Sequence, residues 1–303
     1  MKLLQTTAII LCLILACHIS AQSVNQDLTG SVLWKVSGNG LGKPSYIFGT
    51  HHLISKSFLD SIPGLDDAFK STSGVVGELV LTDIESKGAL MMQATMMPTG
   101  ESYKNLLSEE DYQFLDTELK KIFGGGLEQM GMFRPVAISN FYVISTYQKR
   151  HPESTAAKEP IDLHFQKLAI EQGKSISGLE TVEEQINVIF LGQSISEQVN
   201  ELLCMLKNPE YTDESLEQLE KFYRKGDLDS LTGLIEDKDG PCPSDEKFQN
   251  AVLTDRNNKW IEKLPSIMQE SPSFIAVGSG HLGGNTGILS QLREKGYTVE
   301  AIK

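Results

Sequence analysis

The chain of 303 residues is acidic and moderately hydrophobic, with 27 basic against 40 acidic residues, a net charge of −13 and 40% hydrophobic residues. This length and apolar content predict a folded protein with a sizeable core, in one large or two modest domains, rather than a disordered chain. Nucleic-acid binding needs a basic surface that neutralises phosphates, so the charge balance argues against a nucleic-acid partner.

The first 21 residues have the pattern of an export signal. Lys2 supplies a positive start, an apolar stretch follows, and Ser20-Ala21 offers a small-residue cleavage point. Residues 1–21 are therefore predicted to be a signal peptide that sends the protein to the periplasm or out of the cell. Two alternatives remain open, which are lipid attachment at Cys17 and an uncleaved anchor, although the apolar stretch is short for a membrane span. No later apolar run approaches the length of a span, so none is expected in the mature chain.

The mature chain opens with a predicted hairpin and a histidine motif. Residues 32–36 and 45–48 read as two strands joined by glycine and proline turn residues. A Gly-Thr-His-His tetrad, Gly49 to His52, follows the second strand directly. Glycine at a strand exit lets the backbone take conformations closed to other residues. A following side chain can then point across the carboxyl end of a sheet, where α/β proteins place their sites.

The next elements are a predicted helix over residues 55–69 and a third strand over residues 74–81. The strand is mostly apolar but contains Glu78. Burying a lone carboxylate is very costly. Glu78 is therefore predicted to be either functional or paired with Arg256 or another basic residue.

The middle of the chain is predicted to be helical, because apolar residues recur there with a period of 3.6. The predicted helices cover residues 108–122, 136–148, 161–172, 181–206, 216–234 and 246–268. A short strand over residues 174–179 interrupts this series and ends at Glu180. A final strand is expected over residues 298–302.

A second strand-and-histidine motif lies near the end of the chain. The apolar run of residues 274–277 leads into Gly-Ser-Gly-His, residues 278–281. Two histidines at strand exits, His52 and His281, predict one shared metal or acid–base site. Each histidine keeps the alternative of an ordinary surface or loop residue. His51 is expected to pack or to cap, because only one of two adjacent residues usually faces a given site.

Cys204 and Cys242 are the only cysteines beyond the predicted leader. An even pair in an exported protein predicts a disulfide. The alternative is two unpaired thiols, with one of them buried in a helix. The separation of the two residues excludes a Cys-x-x-Cys redox or zinc motif.

Further short motifs lie between the two tetrads: Pro160-Ile161-Asp162, Gly178-Leu179-Glu180-Thr181 with Gln185, and Arg256-Asn257 with Trp260. Together with residues 46–52 and 276–299, they resemble in order the motifs of the TraB/GumN family, which includes the TIKI metalloproteases. The similarity extends over nearly the whole mature chain and is weakest over residues 85–159. In this resemblance His52, rather than His51, matches the family histidine.

We expect one α/β domain over residues 22–303, with a mixed central sheet flanked by helices. Two pseudo-symmetric halves, one around each tetrad, are expected to form the sheet, and a helical insertion to cover the middle. This architecture is similar to the erythromycin esterase and ChaN folds.

The resemblance implies the use of manganese or cobalt, with His52, Glu78 and His281 at the positions of the family's site residues. Two imidazoles and one or two carboxylates can hold a divalent cation and leave a position open for water. We therefore predict an exported metal-dependent hydrolase, a peptidase with a peptide or protein substrate. Glu78 is predicted to be a metal ligand or base, and Arg256 to orient the substrate. In a metal-free alternative, a histidine acts as general base and the arginine stabilises an oxyanion.

Three more residues, Asp162, Glu180 and Asn257, are predicted to contact substrate or to support the site. Alternatives remain for the charged ones: Asp162 could cap its helix, and Glu180 or Arg256 could be members of a structural ion pair. A non-catalytic protein that binds peptides or glycans is the second functional interpretation. Some members of the family are linked to pheromone shutdown or polysaccharide production. A binding protein should keep its activity when His52 and His281 are replaced, whereas a hydrolase should lose turnover.

Overall fold

Six strands form one sheet in the structure, a computed structural model that describes residues 28–152, 154, 160–243 and 245–303. The predicted signal peptide, residues 1–21, lies outside the described residues. The strands are β1 (Leu33–Ser37), β2 (Ser45–Thr50), β3 (Gly74–Gly77), β4 (Ser175–Gly178), β5 (Ser273–Gly278) and β6 (Thr298–Ala301).

The strand order in the sheet is β4-β3-β5-β2-β1-β6. The first four strands in this order are parallel neighbours, and β1 runs antiparallel to both β2 and β6. The predicted mixed α/β sheet is thus confirmed. The carboxyl ends of β2, β3, β4 and β5 meet along one side of the sheet, which we call the carboxyl edge. Strand β5, which comes late in the chain, lies between β3 and β2.

Burial explains the different sequence patterns of the strands. The central strand β5 is covered on both faces, and Phe274 to Val277 are almost completely buried. Such strands read as continuous apolar runs. The edge strands β4 and β6 instead contain exposed residues, such as Ser175 and Thr298. The apolar run before the second tetrad therefore marks the middle of the sheet.

Helices cover most of the remaining chain. They are α1 (Leu65–Ser71), α2 (Leu81–Ser86), α3 (Gly88–Thr95), α4 (Tyr103–Leu106), α5 (Glu109–Phe123), α6 (Leu127–Met130), α7 (Pro135–Arg150), α8 (Ile161–Glu171), α9 (Val182–Ile189), α10 (Ile195–Lys207), α11 (Pro209–Lys225), α12 (Leu228–Ile235), α13 (Glu246–Val252), α14 (Thr254–Glu270) and α15 (Ile288–Glu294). Short 3₁₀ helices cover Lys56–Ser61 and Ser279–His281. In the described ranges, no helix is long and apolar enough to cross a membrane.

Several predicted helices are divided in the structure. The helix predicted over residues 181–206 is two helices, because Ser194 and Glu197 form a capping box that begins α10. The helix predicted over residues 216–234 is divided at Gly226, which ends α11 with φ 63°. Residues 55–69 and 246–268 also form two helices each. The third strand ends at Gly77, four residues earlier than predicted, so Glu78 lies just beyond it.

Aromatic side chains join the sheet to the helices on it. Phe165 of α8 lies 4.7 Å from Phe274 and 5.3 Å from Phe48, measured between ring centroids. Phe69 of α1 packs on Phe274 at 5.3 Å. Each fully buried side chain of this size contributes about 1.5–3 kcal/mol. This packing fixes the start of α8, and with it Asp162, against the end of β2.

A second hydrophobic cluster lies in the middle of the chain, away from the sheet. Helices α4, α5, α6, α7 and α10 supply its buried residues, which include Leu115, Leu119, Ile138 and Leu202. We call these helices the helical lobe. The predicted disulfide is present, and Cys204 and Cys242 join α10 of the lobe to the segment after α12.

Candidate functional site

The candidate site lies at the carboxyl edge, where four neighbouring strands end. His52 follows β2, Glu78 follows β3, Glu180 follows β4 and His281 follows β5. Parallel pairing brings these residues to the same side of the sheet although up to 229 positions separate them in the chain. This is the location at which open α/β sheets bind ligands.

Arg256 lies at the centre of the site, in the first turn of α14, and is buried. Its Nε and Nη2 donate to the two carboxylate oxygens of Glu180 at 3.0 and 2.6 Å, and Nη2 also donates to Glu78 at 2.6 Å. Its Nη1 lies 3.1 Å from the carbonyl of Val252 and 2.9 Å from Nε2 of His281. All three nitrogens thus have partners inside the protein. The contact with Glu78 is the pairing that the sequence left open as an alternative.

Glu78 is held in its ionised form. Its Oε1 accepts a hydrogen bond from the backbone N–H of Gly278 at 2.8 Å. Burial alone would raise the pKa of this carboxyl, but His281, Arg256 and that N–H outweigh it and lower the pKa to about 2. Glu78 is therefore a carboxylate at neutral pH, able to act as a ligand or base.

Gln185 of α9 links the two carboxylates. Its Nε2 donates to Glu78 at 3.2 Å and to Glu180 at 3.0 Å. Gln185 is not among the site residues predicted from the sequence, although it lies in one of the quoted motifs. The amide adds no charge, so it holds two like-charged groups side by side without changing the charge of the site.

Gln166 was also missed by the sequence analysis, and it fixes the chain that follows Glu78. The side chain is buried, donates to the carbonyl of Leu79 at 2.8 Å and accepts from the N–H of Leu81 at 2.8 Å. Gln166 and Asp162 are four residues apart on α8, so they lie on the same face of that helix. Helix α8 thus contacts His52 through Asp162 and the chain after Glu78 through Gln166.

His281 is buried, with 4% of its surface exposed, and its tautomer is defined. The side-chain N–H of Asn257 donates to the carbonyl of Thr286 at 3.0 Å, so its Oδ1 faces Nδ1 of His281 at 2.7 Å. Nδ1 therefore carries the proton, and the lone pair on Nε2 accepts from Arg256. Burial lowers the pKa of His281 to about 4, which leaves the imidazole neutral.

The glycines of the two tetrads have a role different from the one predicted. Neither Gly49 nor Gly278 has a positive φ, so special backbone conformations are not the reason for glycine here. A Cβ atom on Gly49 would instead lie 2.9 Å from Cδ1 of Leu282 and 3.2 Å from Cα of Ser279. The missing side chain allows the turn that contains His281 to rest directly on β2.

His52 has a much more open environment. Its side chain is 66% exposed, and Nδ1 lies 3.4 Å from Oδ2 of Asp162 in the first turn of α8. Asp162 raises the pKa of His52 above its ordinary value. The other oxygen of Asp162, Oδ1, is buried and has no hydrogen-bond partner among the described residues.

His51 packs and caps, as predicted. Its Nδ1 accepts a hydrogen bond from the N–H of Leu53 at 3.1 Å, and its ring lies 5.1 Å from that of Tyr223. Burial lowers the pKa of His51 to about 4. The hydroxyl of Tyr223 donates to the carbonyl of Gly49 at 2.8 Å. This contact fixes the exit of β2 and turns His51 away from the other tetrad.

The residues fit a divalent cation in their chemistry. Glu78 and Glu180 share one guanidinium group, that of Arg256, and Oδ1 of Asp162 has no hydrogen-bond partner among the described residues. Nε2 of His281 lies 3.9 Å from Oε1 of Glu78. In the described part of the chain, however, no three His, Cys, Asp or Glu side chains are grouped closely enough to hold a metal. Metal binding at Nε2 of His281 would have to replace its contact with Arg256, because imidazole has one free lone pair there.

Comparison with known proteins finds relatives that are named as metalloproteases. Metalloprotease TIKI1 of Danio rerio is 27% identical over 91% of this chain and 64% of its own length. Metalloprotease TIKI1 of Homo sapiens is 26% identical, covering 91% and 62%, and Metalloprotease TIKI homolog of Nematostella vectensis is 25% identical, covering 93% and 69%. The chain spans less than two thirds of the length of the two TIKI1 proteins.

No solved structure matches the chain. The sequence of residues 32–301 matches the TraB/PrgY/gumN family, and this range contains all six strands and every residue of the candidate site. The family match agrees with the motif order, in which both tetrads, the Glu180 segment and the Arg256 helix follow one another. The chain belongs to the TraB/PrgY/gumN family.

Proposed function

We propose that this protein is an exported metal-dependent protease whose metal is held by His52, Glu78 and His281. The observation that supports the proposal most is the buried cluster of Glu78, Arg256 and neutral His281 at the carboxyl edge. Structural ion pairs do not need a neutral imidazole with a defined tautomer beside them. The relatives named as metalloproteases favour the same chemistry.

Each side chain would have a distinct role. Asn257 orients His281 through Nδ1 and so presents Nε2 to the site. Glu78 is ionised and serves as a ligand or as the base that takes a proton from water. Asp162 orients His52 from the other side. A bound divalent metal, which we propose to be manganese or cobalt, would polarise the scissile carbonyl and make its water nucleophilic near neutral pH.

Arg256 would have both a positioning role and the substrate-orienting role predicted for it. With Glu180 it holds Glu78 and His281 in the arrangement described above. Rotation of its Nη1 away from His281 would free the imidazole lone pair and also one N–H donor. That donor is suited to a carbonyl or carboxylate of the substrate.

Export is supported by two independent features. Residues 1–21 have the composition of a signal peptide, and Cys204 and Cys242 form a disulfide. Disulfides persist mainly in oxidising compartments outside the cytoplasm. We therefore propose a periplasmic or extracellular location and a peptide or protein substrate.

A non-catalytic peptide- or glycan-binding protein is the second candidate. It is favoured by one specific observation, namely that Arg256 covers Nε2 of His281 at 2.9 Å. If this contact is permanent, the imidazole is a structural group and the site binds its partner without hydrolysis.

The test is metal content and manganese-dependent cleavage of a mixed peptide library by the mature protein. His52→Ala and His281→Ala should each lower turnover by at least about 100-fold, within the range for loss of a catalytic group. His164→Ala is the matched control, because His164 lies on α8 outside the cluster, and it should retain activity. If the wild-type protein binds no metal and cleaves no peptide, and the variants are folded, the result would favour the binding role instead.

A further inference from the structure

A cavity of about 440 Å³ lies between the end of α7 and the second half of α11. Five of its six lining residues are of charged types, and three of these five are basic although the protein has a net charge of −13. The lining residues are His151, Glu217, Glu220, Lys221, Arg224 and Lys225.

Arg224 is fixed along one side of its guanidinium group. Its Nε donates at 2.6 Å to Glu220, which is only 8% exposed. Glu220 is itself held by the hydroxyl of Tyr147 at 2.8 Å and lies 3.2 Å from Nε2 of His151. The guanidinium also stacks over the ring of Phe58 at 5.1 Å. The group is therefore held in place before any ligand arrives.

The other side of Arg224 is available. Its two terminal nitrogens have no hydrogen-bond partner in the part of the chain that the structure describes, and its side chain is 46% exposed. A guanidinium group with free terminal N–H groups matches a carboxylate, to which it donates two parallel hydrogen bonds. Because one edge is already anchored, little conformational entropy is lost when a carboxylate binds.

Two lysines add positive charge around the same cavity. Lys221 is three residues before Arg224 and four before Lys225, so it neighbours both on the helix surface. Among the described residues, neither lysine ammonium group has a hydrogen bond or ion pair. Glu217 is engaged by Arg150. Basic residues at the end of α11 complement the helix dipole, but the dipole explains neither the cavity nor the anchoring of Arg224.

The cavity adjoins the candidate site through Tyr223. This residue precedes Arg224, and its ring contacts His51 at 5.1 Å while its hydroxyl binds the carbonyl of Gly49. Arg224 is therefore adjacent in the chain to a buried residue that contacts the exit of β2, at the tetrad that ends in His52.

We propose that Arg224, together with Lys221 and Lys225, binds a carboxylate of the peptide substrate and makes the neighbouring site selective for acidic peptides. The carboxylate belongs either to the C-terminus of the substrate or to an acidic side chain near the cleaved bond. The inference rests on the proposed function, because it names the substrate class of that site. It involves recognition only, without a covalent step.

The test is peptide binding to the mature protein, measured by fluorescence polarisation in EDTA, where metal-dependent cleavage is blocked. Three labelled peptides share one neutral sequence: one has a free C-terminal carboxylate, one is amidated, and one is amidated with an internal glutamate. The proposal expects at least one acidic peptide to bind about tenfold more tightly than the neutral amide, the value of one charge-assisted hydrogen-bonded pair. The acidic peptide that responds identifies the source of the carboxylate.

Variants then locate the effect. Arg224→Gln should abolish the preference, and the double variant Lys221→Gln with Lys225→Gln should lower it about fivefold while leaving the Arg224–Glu220 bond intact. The double variant keeps the test readable if Arg224→Gln does not fold. The matched control is Lys43→Gln with Lys104→Gln, which removes the same charge from exposed positions away from the cavity and should keep the preference.

Equal binding of all three peptides, or an equal loss in the control variant, would overturn the proposed subsite. Cleavage is measured separately in manganese with the same peptides. Cleavage without any acidic preference would overturn the subsite and leave the protease intact. An acidic preference that depends on Arg224, in a protein that cleaves none of the peptides, would support the subsite and overturn the protease.

Discussion

The two tetrads follow adjacent parallel strands, yet their histidines have opposite environments. His281 is 4% exposed and is held at both ring nitrogens, by Asn257 and Arg256. His52 has a side chain that is 66% exposed and, among the described residues, one polar contact, which is with Asp162 at 3.4 Å. The shared motif thus determines where each imidazole lies, but the neighbouring helices determine how firmly it is held. One half of the site is preorganised, and the other can adjust to a metal or substrate.

The helices at the two strand exits account for this difference, since β5 and β2 are both inner strands of the sheet. α14 packs across the exit of β5 with Arg256, Asn257 and Trp260. The ring of Trp260 lies 4.4 Å from that of His281 and covers it. On the side of His52, the first turn of α8 lies next to the exit of β2. The predictions below test this contrast between a rigid and an open half.

The largest difference is expected between Arg256→Gln and Asp162→Asn. Loss of Arg256 leaves Glu78 and Glu180 without their buried cation, which should lower the free energy of unfolding by about 3–5 kcal/mol. Asp162→Asn removes a largely exposed contact and should cost less than about 1 kcal/mol. Urea denaturation of both variants measures the two values. Equal costs would show that the two halves are held equally firmly.

Asn257→Ala should cost about 1–3 kcal/mol, because it leaves the Nδ1 proton of the buried His281 without its partner. The carbonyl of Thr286 keeps the hydrogen bond that it accepts from the side chain of Gln291 at 2.8 Å. Chemical denaturation measures the loss. A cost well below about 1 kcal/mol would contradict the role given to Asn257.

The two tetrad glycines should also differ. Gly49→Ala places a Cβ atom 2.9 Å from Leu282 and 3.2 Å from the backbone of Ser279, so overpacking should cost about 1–3 kcal/mol. Gly278→Ala should cost less, because its nearest neighbour is a side-chain oxygen of Glu78 at 3.3 Å. Thermal unfolding of the two alanine variants gives the comparison. A larger loss at Gly278 would be inconsistent with the close approach seen at β2.

The smallest expected effect is on the pH dependence of the free energy of unfolding, to which the two histidines should contribute in opposite directions. The pKa of His281 is lowered to about 4, so its contribution to stability is complete above about pH 6.5 and is lost as the pH falls towards 4. The pKa of His52 is raised, so its contribution is complete below about pH 6.5 and is lost as the pH rises above that value. Solvent weakens the effect at His52, because that side chain is mostly exposed.

Unfolding of the wild type, His52→Gln and His281→Gln at pH 5, 7 and 9 separates the two contributions. NMR titration of the two imidazoles gives the pKa values directly. Two titrations that both centre near the ordinary pKa of histidine would remove the contrast between the halves.

The sequence was sufficient to predict most of the sheet and the residues at its carboxyl edge. Apolar runs that end in Gly49 and Gly278 mark strand exits, and parallel strands bring such exits together. Glu78 could be singled out because a carboxylate in an apolar run needs a partner. Arg256 is that partner, and the sequence named it as one alternative.

Other features depend on information that local patterns do not contain. Gln166 is 87 residues from Leu79, the carbonyl that it binds, and nothing around it in the sequence indicates this contact. The helix breaks are different, since Ser194 with Glu197 is a capping box and Gly226 a typical helix end. For these helices, the prediction gave more weight to the continuous apolar period than to the helix-end signals. The predicted helices were therefore too long.

The place of β5 in the sheet has a consequence for biosynthesis. The core of the helical lobe is complete once residue 206 has been synthesised, but β3 cannot join β2 until β5 emerges to lie between them. Pairings between distant parts of a chain also form slowly. The nascent chain therefore lacks the cluster of Glu78, Arg256 and His281 until almost all of it has left the ribosome. Under the proposed function and export, this order would keep the cytoplasm free of the proposed activity.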